Sequence, residues 1–458
     1  MAFDTSVGKR ASKLRQQDRF WEYFCLVILV GAGLILYTIN LGRLPLNQSQ
    51  EAATAQVAQQ ILAISGDLRA WIFPSGTDSA FAQPPFFPDL VALSYYLGGV
   101  SSLTTRLPGA LLGALSTGLL YGIGRELFRR SPPVLWSCCV YITLFPVIAH
   151  GRIATLNTTL LFWEMFSLWS LLRSRRDLRW TLITGLGLCL VGLTHSWSLL
   201  PVVIISLLFL AWDTPRLLSC SYFYGGVLLG FLPLVVWWLA QWQSFDFTVT
   251  VFDSASYLAL AKTHLTDFFN GSFSWLSAQS FPSYLSGLLY LCSPWLIISV
   301  YGLRFAWHYR NWGWAKFVVV GSSTYLVFLA VGTLVNLVQG EGNSFGLYGL
   351  AIYPLLALAA GRQLYQLRNL PSYIGYPLTW SWLFNCFGAV IILFGLYSHF
   401  ALELDFGWLL LAIFGSLILT PITAAILLYR KDLQFMTVLI WGSYISLLLF
   451  FSSQYWII

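Results

Sequence analysis

The chain has 458 residues, of which 57% are hydrophobic and 9% charged, against roughly 25% charged in an ordinary soluble domain. That excludes a water-soluble fold, because a single core could not hide so much apolar surface, whereas a bilayer solvates it. The net charge of +7 does not point to nucleic acid: Lys and Arg fall in short clusters between apolar stretches, the pattern of cytoplasmic loops.

In chain order, Lys9, Arg10, Lys13, Arg15 and Arg19 precede a first apolar run at 21–39. The run is longer than the apolar part of a signal peptide, and no small-residue cleavage site follows. It reads as a retained first helix with a cytoplasmic N-terminus. Further basic clusters lie at 125–130, 173–179, 216, 304–316, 362–368 and 430–431, and placing all of them inside accounts for 20 of the 25 Lys and Arg. The stretches 107–121, 134–149, 317–335 and 408–428 read as spans. That orientation holds only if 86–103, which follows Pro84-Pro85 and contains Asp89, lies in the outer interface. The expected architecture is one all-α polytopic membrane domain over 1–458, with about thirteen spanning helices and an external C-terminus. Two external loops, 41–105 and 241–283, hold much of the polar and acidic material, the first with a helix over 48–64 ended by Gly66-Asp67. Compact loops without added domains suggest a bacterial inner membrane.

Polar residues at the outer helix ends come in a recognisable order. After helix one stand Gln50-Glu51, then Ser65-Gly66-Asp67, Gln83-Pro84-Pro85-Phe86 and Thr105-Arg106-Leu107-Pro108. There follow Gly151-Arg152-Ile153-Ala154 with Asn157, then Leu193-Thr194-His195-Ser196, and more weakly Ser293-Pro294-Trp295 and Tyr348 to Pro354. In order and spacing this resembles the GT-C-type glycosyltransferases that use lipid-phosphate sugars, the protein O-mannosyltransferases and aminoarabinose transferase among them.

The resemblance implies a membrane enzyme that takes a sugar from a polyprenyl-phosphate donor at the non-cytoplasmic face and passes it to a glycan, lipid or protein acceptor. It also implies roles. Gln50 and Asn157 stand where the family has its two Asp, with Glu51 beside the first. Gln83, Arg106, Arg152, His195 and Tyr348 stand where lipid phosphate or sugar would be held. The departures fall on the reactive positions: an amide cannot deprotonate a hydroxyl near neutral pH, nor supply the charge that holds a hard cation. That leaves Glu51 as the expected base, no firm cofactor, and a divalent cation weakly held at most. Glu164, two turns beyond Asn157, is an intramembrane acid, functional or paired.

Each residue has a plainer reading. Glu51 suits an interfacial helix start, Asn157 an N-cap, Arg106 and Arg152 headgroup contacts, and His195 an interhelical hydrogen bond. The seven Cys and the His residues lack metal-ligand spacing. Beside transfer stands a second function, a catalytically inactive protein of the same fold that binds a polyprenyl lipid, a glycan or a partner protein. A transporter would show inverted repeats or helices broken at mid-membrane, and neither is visible.

Overall fold

The computed structural model describes residues 5–46, 51–63, 86–244, 294–339, 349–369, 378–400 and 407–454. Every regular element among them is helical. The first four are α1 (Thr5–Thr38), α2 (Glu51–Ala63), α3 (Phe86–Gly98) and α4 (Ser102–Leu127). Then come α5 (Pro132–Tyr141), α6 (Phe145–Arg152), α7 (Leu156–Ser174), α8 (Trp180–Thr194), α9 (Leu199–Asp213) and α10 (Ser221–Ser244). The later part holds α11 (Trp295–His308), α12 (Gly313–Gln339), α13 (Ile352–Arg368), α14 (Leu378–Phe400), α15 (Trp408–Tyr429) and α16 (Gln434–Ser452).

Among the described residues six helices are long and apolar enough to cross a bilayer, seven if α5 and α6 count as one bent span, against the about thirteen expected; α8, α9 and part of α10 are shorter apolar helices. The uninterrupted span expected at 134–149 is instead two helices bent by 56°. Pro146 opens the second of them and the preceding Leu144 and Phe145 carry the break, with Leu144 extended at ψ 109°. The proline ring removes an N–H and clashes with a helical carbonyl one turn earlier, so the first helix cannot run on through it.

The chain alternates between two ends of the bundle. At one end Arg125 pairs with Glu22, Arg173 and Arg176 with Glu126, and Arg175 and Lys316 with Asp213. At the other, Asn40 at the end of α1 donates to the Ser452 carbonyl of α16 at 2.8 Å. A large apolar core built around α4, α5, α7, α9, α12 and α13 fills the space between. A smaller cluster of Leu36, Tyr37, Leu41, Ala110, Ala114, Ile148, Leu447 and Phe451 underlies the second end.

Across that second end lie α2 and α3. Each has 13 residues, about 20 Å of helix and too short to cross. They pack on each other through Ala58, Ile61, Phe87, Val91, Ala92 and Tyr95, with Leu156 beneath. Gly99, at φ +75°, turns the chain from α3 into α4, a left-handed conformation that glycine adopts without a Cβ penalty. A Ser101–Thr104 capping box starts α4, satisfying N–H groups that a helix start leaves open. Two hydrogen bonds then lock the pair down: Ser94 to the Thr104 carbonyl, and Tyr95 with the Thr105 hydroxyl, both 2.7 Å.

Candidate functional site

The buried polar residues of the second end form a frame centred on Arg106, whose side chain is 0% exposed. Its Nε donates to Glu51 Oε1 at 2.8 Å and its Nη2 to Glu51 Oε2 at 2.7 Å. Nη1 donates to the carbonyls of Leu41 and Leu44, and Nη2 also to that of Pro45, all at 2.9 Å. Those contacts account for all five N–H donors of a guanidinium, so none is left over for a lipid phosphate. Glu51 Oε1 accepts further from the Ala154 N–H at 2.8 Å. One carboxylate thus joins the start of α2, the start of α4 and the turn between α6 and α7. Glu51, expected as a base, has both oxygens engaged by the guanidinium.

Arg152 is likewise fully buried. Its two Nη groups donate to the Leu36 and Ile39 carbonyls, which end α1 and otherwise lack intrahelical partners. Its Cζ lies 4.6 Å from the ring centre of Phe451, a cation–π contact from α16. Next to it, Gly151 sits against Tyr37 so closely that a Cβ would collide with the ring. The Gly-Arg-x-Ala sequence is therefore read by packing: glycine for Tyr37, arginine for α1, and the alanine N–H for Glu51.

Asn157 is not the N-cap of α7. Thr155 holds that place, and Asn157 in the first turn, 8% exposed, meets His150 with Nδ2 and Nδ1 at 3.3 Å. The His150 Nε2 makes no hydrogen bond among the described residues. Sequence reasoning passed over His150 because it was weighed only as a metal ligand. The available signal was its place seven residues before Asn157 across a turn.

His195 closes α8, with Nδ1 and Ser198 Oγ 3.1 Å apart. Burial pushes it down to about 4, so the ring at that turn is neutral near pH 7 and brings no positive charge to a phosphate. Asp89 in the first turn of α3 moves the other way, raised to about 7 by burial. Glu164 lies in the core, where its Oε2 accepts from the Tyr325 hydroxyl at 3.3 Å. It borders a cavity of about 20 Å³, room for one water. Gln50, Gln83, Tyr348 and most of the 241–283 loop lie outside the described residues. The described residues do not by themselves suit a divalent cation: Glu51 is occupied by Arg106, Asn157 contributes an amide, and no group of three His, Cys, Asp or Glu among them could hold a metal.

Known proteins give this arrangement a context. The family model for dolichyl-phosphate-mannose-protein mannosyltransferases matches residues 82–239, the stretch carrying α3, Arg106, Arg152, Asn157 and His195. The structure of ArnT from Cupriavidus metallidurans bound to undecaprenyl phosphate superposes with a TM-score of 0.68 at 17% identity, covering 93% of this chain and 76% of that one. This chain has the GT-C fold. ArnT in the apo state superposes with a TM-score of 0.65 at 19% identity over the same shares. The archaeal oligosaccharyltransferase AglB from Archaeoglobus fulgidus, with an inhibitory peptide and a dolichol-phosphate, gives 0.56 at 12%, covering 95% of this chain and 56% of that one. Against curated protein sequences no match stands out. On this GT-C scaffold the Glu51–Arg106 pair forms a fixed frame, and the Asn157–His150 contact is the adjoining polar pair.

Proposed function

We propose that the chain binds a polyprenyl-phosphate sugar at the α2–α3 end of the bundle and transfers the sugar to an acceptor hydroxyl or phosphate on the non-cytoplasmic side of a bacterial inner membrane. The observation that carries this reading is the fold, shared over almost the whole chain with ArnT bound to undecaprenyl phosphate. In the transfer, an acceptor oxygen forms the new bond to the anomeric carbon. The bond from that carbon to the phosphate oxygen breaks, and polyprenyl phosphate leaves with the electron pair. The acceptor proton needs a base. Glu51 is bound to Arg106 and to the Ala154 N–H, whereas His150 has Nε2 available and Asn157 on its other nitrogen. With the Asn157 amide turned so that its Oδ1 accepts from Nδ1–H, the neutral His150 imidazole carries its lone pair on Nε2 and is a competent proton acceptor near pH 7. Arg106 and Arg152 then act as frame, fixing the floor on which donor and acceptor meet.

A second reading, binding without transfer, draws on one specific observation: the carboxylate next to Gln50 is tied into the frame, and Asn157 is an amide. The experiment is a turnover assay on the full chain in lipid nanodiscs, offered radiolabelled polyprenyl-phosphate mannose, glucose and aminoarabinose, with His150→Gln alongside. Release of polyprenyl phosphate that drops about 100-fold in the variant, within the usual range for a lost acid–base group, supports transfer. Tight binding of undecaprenyl phosphate with no release from any donor sinks transfer in favour of the binding reading.

A further inference from the structure

At the opposite, basic end of the bundle, Arg362 of α13 stands among three rings, its Cζ 5.6 Å from the centre of Phe305, 5.7 Å from Trp314 and 5.7 Å from Tyr365. It makes no ion pair and no hydrogen bond among the described residues. Arg130, from the turn between α4 and α5, donates through Nη1 to the same Tyr365 hydroxyl at 3.0 Å and also has no carboxylate partner there. Two guanidinium groups therefore converge on one phenol with no counter-charge between them. Arg125, Arg173, Arg175, Arg176 and Lys316, on the same end, each have an Asp or Glu within 4 Å, whereas Arg130 and Arg362 meet at Tyr365 instead. Since Tyr365 accepts from Arg130, its own O–H is left to donate. The rings lie beside the Arg362 Cζ and no hydrogen bond among the described residues occupies its N–H groups, the donors with which a guanidinium takes a phosphate bidentately.

The depth of this cluster narrows the ligand. Trp307 and Trp312, 60% and 58% exposed, flank the α11–α12 turn beside it, and Arg310 lies 5.8 Å from the Trp307 ring centre. Exposed Trp beside Arg marks the headgroup level of a membrane protein. We propose that Arg130, Arg362 and Tyr365 form a binding site for the phosphate of an anionic phospholipid in the leaflet at the basic end, separate from the lipid-sugar site at the other. Basic pockets between helices at this level hold such headgroups in general.

The test uses the full chain reconstituted in nanodiscs of equal parts phosphatidylcholine and phosphatidylglycerol, with retained lipids counted by native mass spectrometry. Phosphatidylglycerol is retained in preference to phosphatidylcholine, and its affinity falls about tenfold in Arg130→Gln/Arg362→Gln, the scale of losing charge-assisted hydrogen bonds. Arg130→Gln and Tyr365→Phe alone, which leave the ring stack in place, weaken it in the same direction, so the test survives if the double variant does not fold. Arg430→Gln/Lys431→Gln, two basic residues in the α15–α16 turn, leaves retention unchanged. Equal retention of the two lipids overturns the proposal, as does an equal loss in the Arg430/Lys431 variant, which would mean diffuse charge. Displacement of the bound lipid by inorganic phosphate overturns it as well, since the site would then serve a small anion.

Discussion

Glu51 shows how one residue changes meaning between sequence and structure. Its place in a motif was legible; its partner, 55 positions away in Arg106, was not, because nothing local encodes which helix start will lie beside it. Glu51→Gln removes the charge that balances a fully buried guanidinium, a class of change that costs about 3–5 kcal/mol. The expected result is a large fall in the unfolding midpoint in nanodiscs, with Arg106→Gln falling similarly; an unchanged midpoint would show that the frame is not held by this pair. Two titrating residues give opposite pH signatures. His195 is depressed to about 4 in the fold, so its contribution is present above the unfolded value near 6.5 and drains away as pH falls from there towards 4, up to about 3 kcal/mol. Asp89, raised to about 7, favours the fold at low pH, and that contribution is lost as pH rises from about 4 to 7. Between pH 7 and 5 the two partly cancel in the natural chain. Asp89→Asn should therefore show a midpoint that drops more steeply on acidification, and His195→Gln one that rises; parallel curves for all three proteins refute the assignment.

Among the elements, helical spans were the most legible, since long apolar runs such as 107–121 and 408–428 have few other homes. The break between α5 and α6 was less so, though Pro146 marked it. The sequence alone does not say whether a proline kinks a span or ends it; the extended Leu144 and the packing of Gly151 on Tyr37 decide that here. Replacing Gly151 by Ala forces the Tyr37 ring or the α6 end to move, an overpacking cost of about 1–3 kcal/mol, measurable as a lower unfolding midpoint that Tyr37→Leu partly restores. The reading of 86–103 as interfacial has a matching test in an otherwise cysteine-free chain. Val100→Cys, at the α3–α4 turn, should react with a membrane-impermeant maleimide from the side opposite to Asp177→Cys, between α7 and α8. Labelling of both from one side would sink the assigned orientation.

For the molecule as a whole, motif order carried the fold across a distance where identity is below 20%, because motif residues such as Glu51, Arg106, Gly151 and Arg152 fix contacts between helix ends rather than surface detail. What order could not supply was the state of the reactive positions. Asn157 meets His150 only because the α6–α7 turn folds the two together, and Gln50 and Gln83 lie outside the described residues. One consequence concerns the order of synthesis. Arg152 ends on the Phe451 ring of α16, and Asn40 beside it reaches the Ser452 carbonyl. The floor of the site is thus finished by the last described helix, roughly 300 residues after Arg152 has left the ribosome. Until then the α1 end and its arginine wait in the bilayer with that wall missing, so a nascent chain halted before α16 would expose an unfinished cradle to whatever lipid or chaperone is nearest.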